Sequence, residues 1–83
     1  MEGDFQKAVE LVKSGTPKKN VDNKTKLEFY GLYKQSTVGD INTPRPSFFD
    51  SIGRAKWFSW SSKRGMGKEE AMRHYIDLSK KHY

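Results

Sequence analysis

Phe5, Ala8, Val9 and Val12 stand three and four residues apart, a spacing that gathers apolar side chains onto one face only in a helix. The pattern returns three more times, and no segment alternates apolar with polar residues as a half-buried strand would. A second helix is predicted from about Val21 or Asp22 to Val38, with Leu27, Tyr30 and Lys34 on one face and Tyr33 beside them. A third runs from about Asp50 to Ser62 and carries Ile52, Ala55, Lys56, Trp57 and Trp60. The fourth, from Lys68 to near Tyr83, carries Ala71, Met72, Tyr75, Ile76 and Leu78. Breakers separate the four: Gly15 with Pro17, then Gly39 followed by Pro44 and Pro46, then Arg64-Gly65-Met66-Gly67. Asp4 suits a cap or first-turn acid, Asp50 or Ser51 a cap, and Glu69 and Glu70 a first turn where the helix dipole favours acids. The expectation is one domain over residues 1–83, all-α, folded as a small four-helix bundle.

Hydrophobic residues form 34% of the 83, so the core must be thin. No apolar run approaches the ~20 residues of a membrane span. The start, MEGDFQKAVE, lacks the apolar stretch of a secretory signal, so a cytoplasmic location is expected. Without cysteine there is no disulfide and no thiolate chemistry. The net charge of +6 favours an anionic partner.

Catalytic patterns are absent, and no enzyme is expected. His74 and His82 lie eight residues apart, ~12 Å along a helix, too far to share a metal. Gly65-Met66-Gly67-Lys68 lacks the full phosphate-loop pattern and a preceding strand. No metal and no cofactor is called for.

Tyr30, Tyr33 and Lys34 are the residues that composition does not explain. Either the tyrosines fill the core while Lys34 reaches outward, or phenols and ammonium form a binding surface. Lys56 and Tyr75 favour the second reading, because each lies at the inward edge of its own helix pattern. Three helices would then converge on a site suited to a nucleotide, its base on the aromatic faces and its phosphates on the lysines.

The stretch Tyr30-Gly31-Leu32-Tyr33-Lys34-Gln35-Ser36-Thr37-Val38-Gly39-Asp40-Ile41-Asn42 resembles the Y-x-x-Y-K-Q-A/S-T-x-G-D-x-N signature of the acyl-CoA-binding proteins. Arg45-Pro46, Gly53-Arg54-Ala55-Lys56-Trp57 and Trp60 are similar to that family's K-x-K-W-x-x-W region. Glu69-Glu70-Ala71-Met72 with Tyr75-Ile76 is similar to its last helix. The resemblance covers essentially the whole chain. It implies an up-down-down-up bundle that binds long-chain fatty acyl-CoA without catalysis, and that buffers and carries the ester as a monomer. It also implies that Tyr30, Tyr33, Lys34, Lys56 and Tyr75 contact the nucleotide head, with Lys13 on the head-group side. Phe5, Val9 and Leu27 fall where the family lines its acyl groove. Transient contact with membranes or acyl-CoA-using enzymes fits that role. Two departures stand out: the loop from Ser14 to Asn23 is longer than in common members, and Ile52 replaces a frequent lysine. The rival readings are a nucleic-acid module and a peripheral membrane binder. The first would need clustered arginines, and Arg45, Arg54, Arg64 and Arg73 are widely spaced. The second has only Lys7 and Lys13 beside the apolar face of the first helix.

Overall fold

The computed structural model describes all residues from Met1 to Tyr83. It contains four helices and no strand: α1 (Glu2–Ser14), α2 (Asn23–Thr37), α3 (Ser51–Ser61) and α4 (Lys68–His82). Helix boundaries follow local chemistry. Asp22 caps α2 by accepting the Thr25 N–H at 2.8 Å, and Asp50 caps α3 by accepting the Gly53 N–H at 2.9 Å. Asp4 is a first-turn acid of α1, whose cap position is Met1. Helix α2 stops at Gly39, whose φ of +98° is accessible to glycine and strained for other residues.

The helices lie in the order α1, α4, α2, α3, giving a slab of 34 × 28 × 15 Å. Helices α1 and α4 run the same way, because Lys18, just past α1, donates its N–H and its Nζ to the carbonyls of His82 and Lys80 at the end of α4. Helix α2 opposes α4. Phe29 in its first half meets His82 and Tyr83, whereas Gln35 near its end reaches the Met66 carbonyl before α4 begins. Helix α3 descends alongside α2, completing the up-down-down-up arrangement that the family resemblance implies.

The core forms where α1, α2 and α4 meet, from Phe5, Ala8, Phe29, Leu32 and Tyr75, with Val9, Val12, Met66, Met72, Ile76, Leu78 and Tyr83 packed against it. Its aromatic rings meet at angles, Phe5 with Tyr75 at 5.3 Å and Phe29 with Tyr75 at 5.1 Å.

Helix α3 is joined to α2 by a close backbone approach. A Cβ placed on Gly31 would lie 2.5 Å from Ser59 Oγ and 2.7 Å from its carbonyl oxygen. Gly31→Ala is therefore expected to lower stability by about 1–3 kcal/mol through overpacking, despite alanine's better helix propensity. The same change at Gly3, which has open space around it, should lower stability by little or nothing. Urea unfolding of both variants checks this, and equal midpoints would contradict the close crossing.

Several signature residues hold the fold together. Gln35 Nε2 donates to Asp40 Oδ1 at 2.9 Å and to the Met66 carbonyl at 2.7 Å. Asp40 Oδ1 also accepts the Gly65 N–H at 2.9 Å. The indoles of Trp57 and Trp60 donate to the carbonyls of Thr43 and Gly39, pinning the α2–α3 loop to α3.

The hydrogen bonds from the Gly65 amide and then Gln35 hold the Asp40 carboxyl below its ordinary 3.8. Ionised Asp40 is favoured by the folded state, so its contribution is present above about pH 4 and disappears as pH falls through the depressed folded value. Asp40→Asn should flatten stability against pH in that acidic window and leave the slope near neutrality unchanged. Urea midpoints measured from pH 2 to 7 on both proteins read this directly.

Candidate functional site

The Gly31–Ser59 crossing shapes the surface on either side of it. Toward the N-termini of both helices an open cleft of about 400 Å³ lies between them. Asn23, Lys26, Leu27 and Tyr30 of α2 line one wall, and Ser51, Ile52, Ala55 and Lys56 of α3 line the other. Leu27, Ile52 and Ala55 give it apolar walls, and Lys26 and Lys56 complete its charged lining.

At the inner end of the cleft, Lys56 Nζ stands over the Tyr30 ring, 5.5 Å from its centroid. One turn further along α2, Lys34 Nζ stands 4.7 Å over the Trp60 ring. The one lysine or arginine salt bridge is Lys63 with Glu28 at 2.6 Å, so neither Lys34 nor Lys56 is neutralised by a carboxylate. A cation held on an aromatic face keeps its full charge and its donors available to an incoming anion.

Tyr33 is 40% exposed and stacks on Phe5 from α1, with centroids 6.2 Å apart and planes 24° apart. Behind it, 6.5 Å away, lies Tyr75 of α4. Tyr75 is only 4% exposed, and burial, reinforced by Tyr83 and Tyr33, pushes its phenol up to about 12. It is a neutral hydroxyl at any physiological pH, able to donate a hydrogen bond but not to carry charge.

The sequence-predicted residues thus fall into four groups. Lys56 meets Tyr30 across the α2–α3 junction, Lys34 meets Trp60 one turn on, and Tyr33 adjoins Lys34 on α2. Leu27 lines the cleft. Phe5, Val9 and Lys13 form one stripe of α1 at steps of four, yet their surroundings differ. Phe5 is fully enclosed in the core, Val9 is half-buried against it, and Lys13 is exposed in the last turn. Phe5 therefore offers no open groove wall in this structure. Tyr75 lies in the core, with its ring beside that of Tyr33.

Asn23, Lys26, Ser51, Ile52 and Ala55 line the cleft without having been candidates. The available signal was Leu27 and Ala55 on facing helix surfaces, but spacing alone does not say which two helices face each other. No group of three or more His, Asp or Glu could hold a metal ion. No helix is long and apolar enough to cross a membrane.

The sequence pattern of the family described as "Acyl CoA binding protein" matches residues 2–79. The chain belongs to the acyl-CoA-binding protein family. "Acyl-CoA-binding domain-containing protein 3" of Oryza sativa subsp. japonica is 49% identical over 76 residues, covering 92% of this chain and 48% of the relative. This chain therefore spans about half the length of that relative. From the same organism, "Acyl-CoA-binding domain-containing protein 1" is 47% identical over 76 residues, covering 92% of this chain and 81% of the relative. The crystal structure of acyl-CoA-binding protein 2 from Oryza sativa superposes with a TM-score of 0.89 at 40% identity, covering 96% of this chain and 85% of that one. The helical bundle of this family is thus the architecture described above.

Proposed function

We propose that this protein binds long-chain fatty acyl-CoA without catalysis, holding the nucleotide head at Tyr30, Tyr33, Lys34 and Lys56 and the alkyl chain in the α2–α3 cleft. The observation that carries this reading is the pair of lysines free of carboxylates and resting on aromatic rings, one of them, Lys56, lining an apolar cleft. An acyl thioester is part anion and part alkane, and it needs those two surfaces side by side. Membership of a family of acyl-CoA-binding proteins supports the same ligand. Tyr75 would contribute only a hydroxyl donor at the edge of the ring stack. From the α1 side, Val9 and Lys13 would meet the ligand, with Phe5 supporting Tyr33 from beneath.

Binding of this kind withdraws the ester from membranes and delivers it to enzymes that use it. Buffering and intracellular transport by a cytoplasmic monomer are therefore the proposed role. Nothing in the arrangement calls for a metal or a cofactor, and no nucleic acid is required as partner. Native mass spectrometry of protein purified after expression tests the reading. A bound mass matching a long-chain acyl-CoA, or uptake of added hexadecanoyl-CoA at one per chain, is expected. Failure to take up the added ester would overturn it.

A further inference from the structure

Phe48 and Phe49, in the turn that enters α3, are 77% and 93% exposed, the largest exposures among the bulky apolar side chains. Their rings meet edge to face at 5.6 Å and belong to no core cluster. Ile52, one turn on, is 71% exposed, and Phe58 is 49% exposed. Such gathering of apolar groups on a surface marks an interaction site.

The turn is braced. Ser47 accepts the Asp50 N–H at its carbonyl, 2.9 Å, and the Phe49 N–H at its hydroxyl, 3.2 Å. Arg54 donates to the Pro46 carbonyl at 3.2 Å, and Trp57 donates to the Thr43 carbonyl at 2.9 Å. Two phenyl rings are thus held outward in water by a network that fixes their position.

Charge decides the occupant. Between Ile41 and Ser62, Arg45, Arg54 and Lys56 face a single acid, Asp50, whose Oδ1 already caps α3. A second copy docking by the same patch would bring Arg45 and Arg54 against like charges across a two-fold contact. Protruding rings flanked by arginines suit a soft, negatively charged interface, which admits knobs without needing matching pockets.

We propose that the turn from Ser47 to Asp50 docks on an anionic lipid bilayer, with Phe48 and Phe49 entering the interface and Arg45 and Arg54 meeting the headgroups. Ser51 and Ile52 line the cleft, so docking sets its outer end against the bilayer. That consequence rests on the proposed acyl-CoA binding, whereas the docking itself does not.

Vesicle flotation of the full chain, with no CoA ester present, separates the two. Phosphatidylcholine vesicles containing about a third phosphatidylserine should carry the protein upward, and pure phosphatidylcholine should carry far less. The double change Phe48→Ser and Phe49→Ser should weaken partition by about tenfold or more, and Arg45→Gln by about fivefold. Leu11→Ser, on α1 at the opposite edge of the slab, should leave partition unchanged. Circular dichroism should show unchanged helicity in the double variant, since neither ring enters the core. Equal flotation of the double variant and the parent would overturn the proposal, as would equal binding to neutral vesicles. So would a dimer in solution that the double variant abolishes, which would assign the patch to self-association.

Discussion

Lys34→Ala is expected to weaken binding of free CoA and of acyl-CoA by the same factor, about ten- to a hundredfold. The factor corresponds to ~1.5–3 kcal/mol for one charge-assisted phosphate contact. Lys34 has no carboxylate to release before it meets a phosphate, so the loss on truncation is not offset by a freed partner. Its only aromatic support is Trp60, and giving up that cation–ring contact should alter stability by no more than about 1 kcal/mol. Lys56→Ala should behave alike, since Lys56 stands over Tyr30 in the same way. Calorimetric titration with both ligands, beside urea unfolding of each variant, separates binding from folding. Unchanged affinity for free CoA would remove Lys34 from the head site.

The length of the alkyl chain should have a still larger effect. Each methylene buried contributes ~0.8 kcal/mol, so two more carbons should tighten binding roughly tenfold until the cleft is full. The cleft of about 400 Å³ is finite, so the series should climb and then level off. Leu27→Asp should flatten the climb while leaving free CoA nearly untouched, because a carboxylate beside the alkyl chain must be desolvated. Leu27 is half-buried, so the exposed Ile52 offers a variant that does not endanger folding. Ile52→Asp should lower the affinity for long esters more than for short ones. Titrations from butanoyl-CoA to octadecanoyl-CoA on the parent and both variants check this. A flat series on the parent would mean that the cleft holds no alkyl chain.

Much of this architecture is legible in the residues themselves. Spacings such as Phe5, Ala8, Val9 and Val12 mark helix faces, and Gly39, Pro44 and Pro46 mark the long break before α3. The caps Asp22 and Asp50 stand at the predicted boundaries. The contact of Lys56 with Tyr30 across two helices was legible because Lys56 lies on the inward edge of its pattern.

Neighbour choice was not legible. A periodic stripe shows that Phe5 and Val9 face inward, but not that α4 and Tyr33 close over Phe5 while the open cleft forms elsewhere. The cleft's position depends on the Gly31–Ser59 crossing, which needs a tertiary contact between residues far apart in sequence. The architectural half of the signature was equally hidden. Gln35, Asp40, Trp57 and Trp60 act through hydrogen bonds to loop groups, and such bonds leave no period in the sequence.

Side-by-side calorimetry of the unmutated protein with hexadecanoyl-CoA, free CoA and hexadecanoate tests the central claim most directly. A head site joined to an apolar cleft predicts one ester per chain, bound far more tightly than either half alone, because both surfaces are then engaged by one molecule. An ester that binds no more tightly than free CoA, or hexadecanoate that binds as well as its CoA ester, would contradict it.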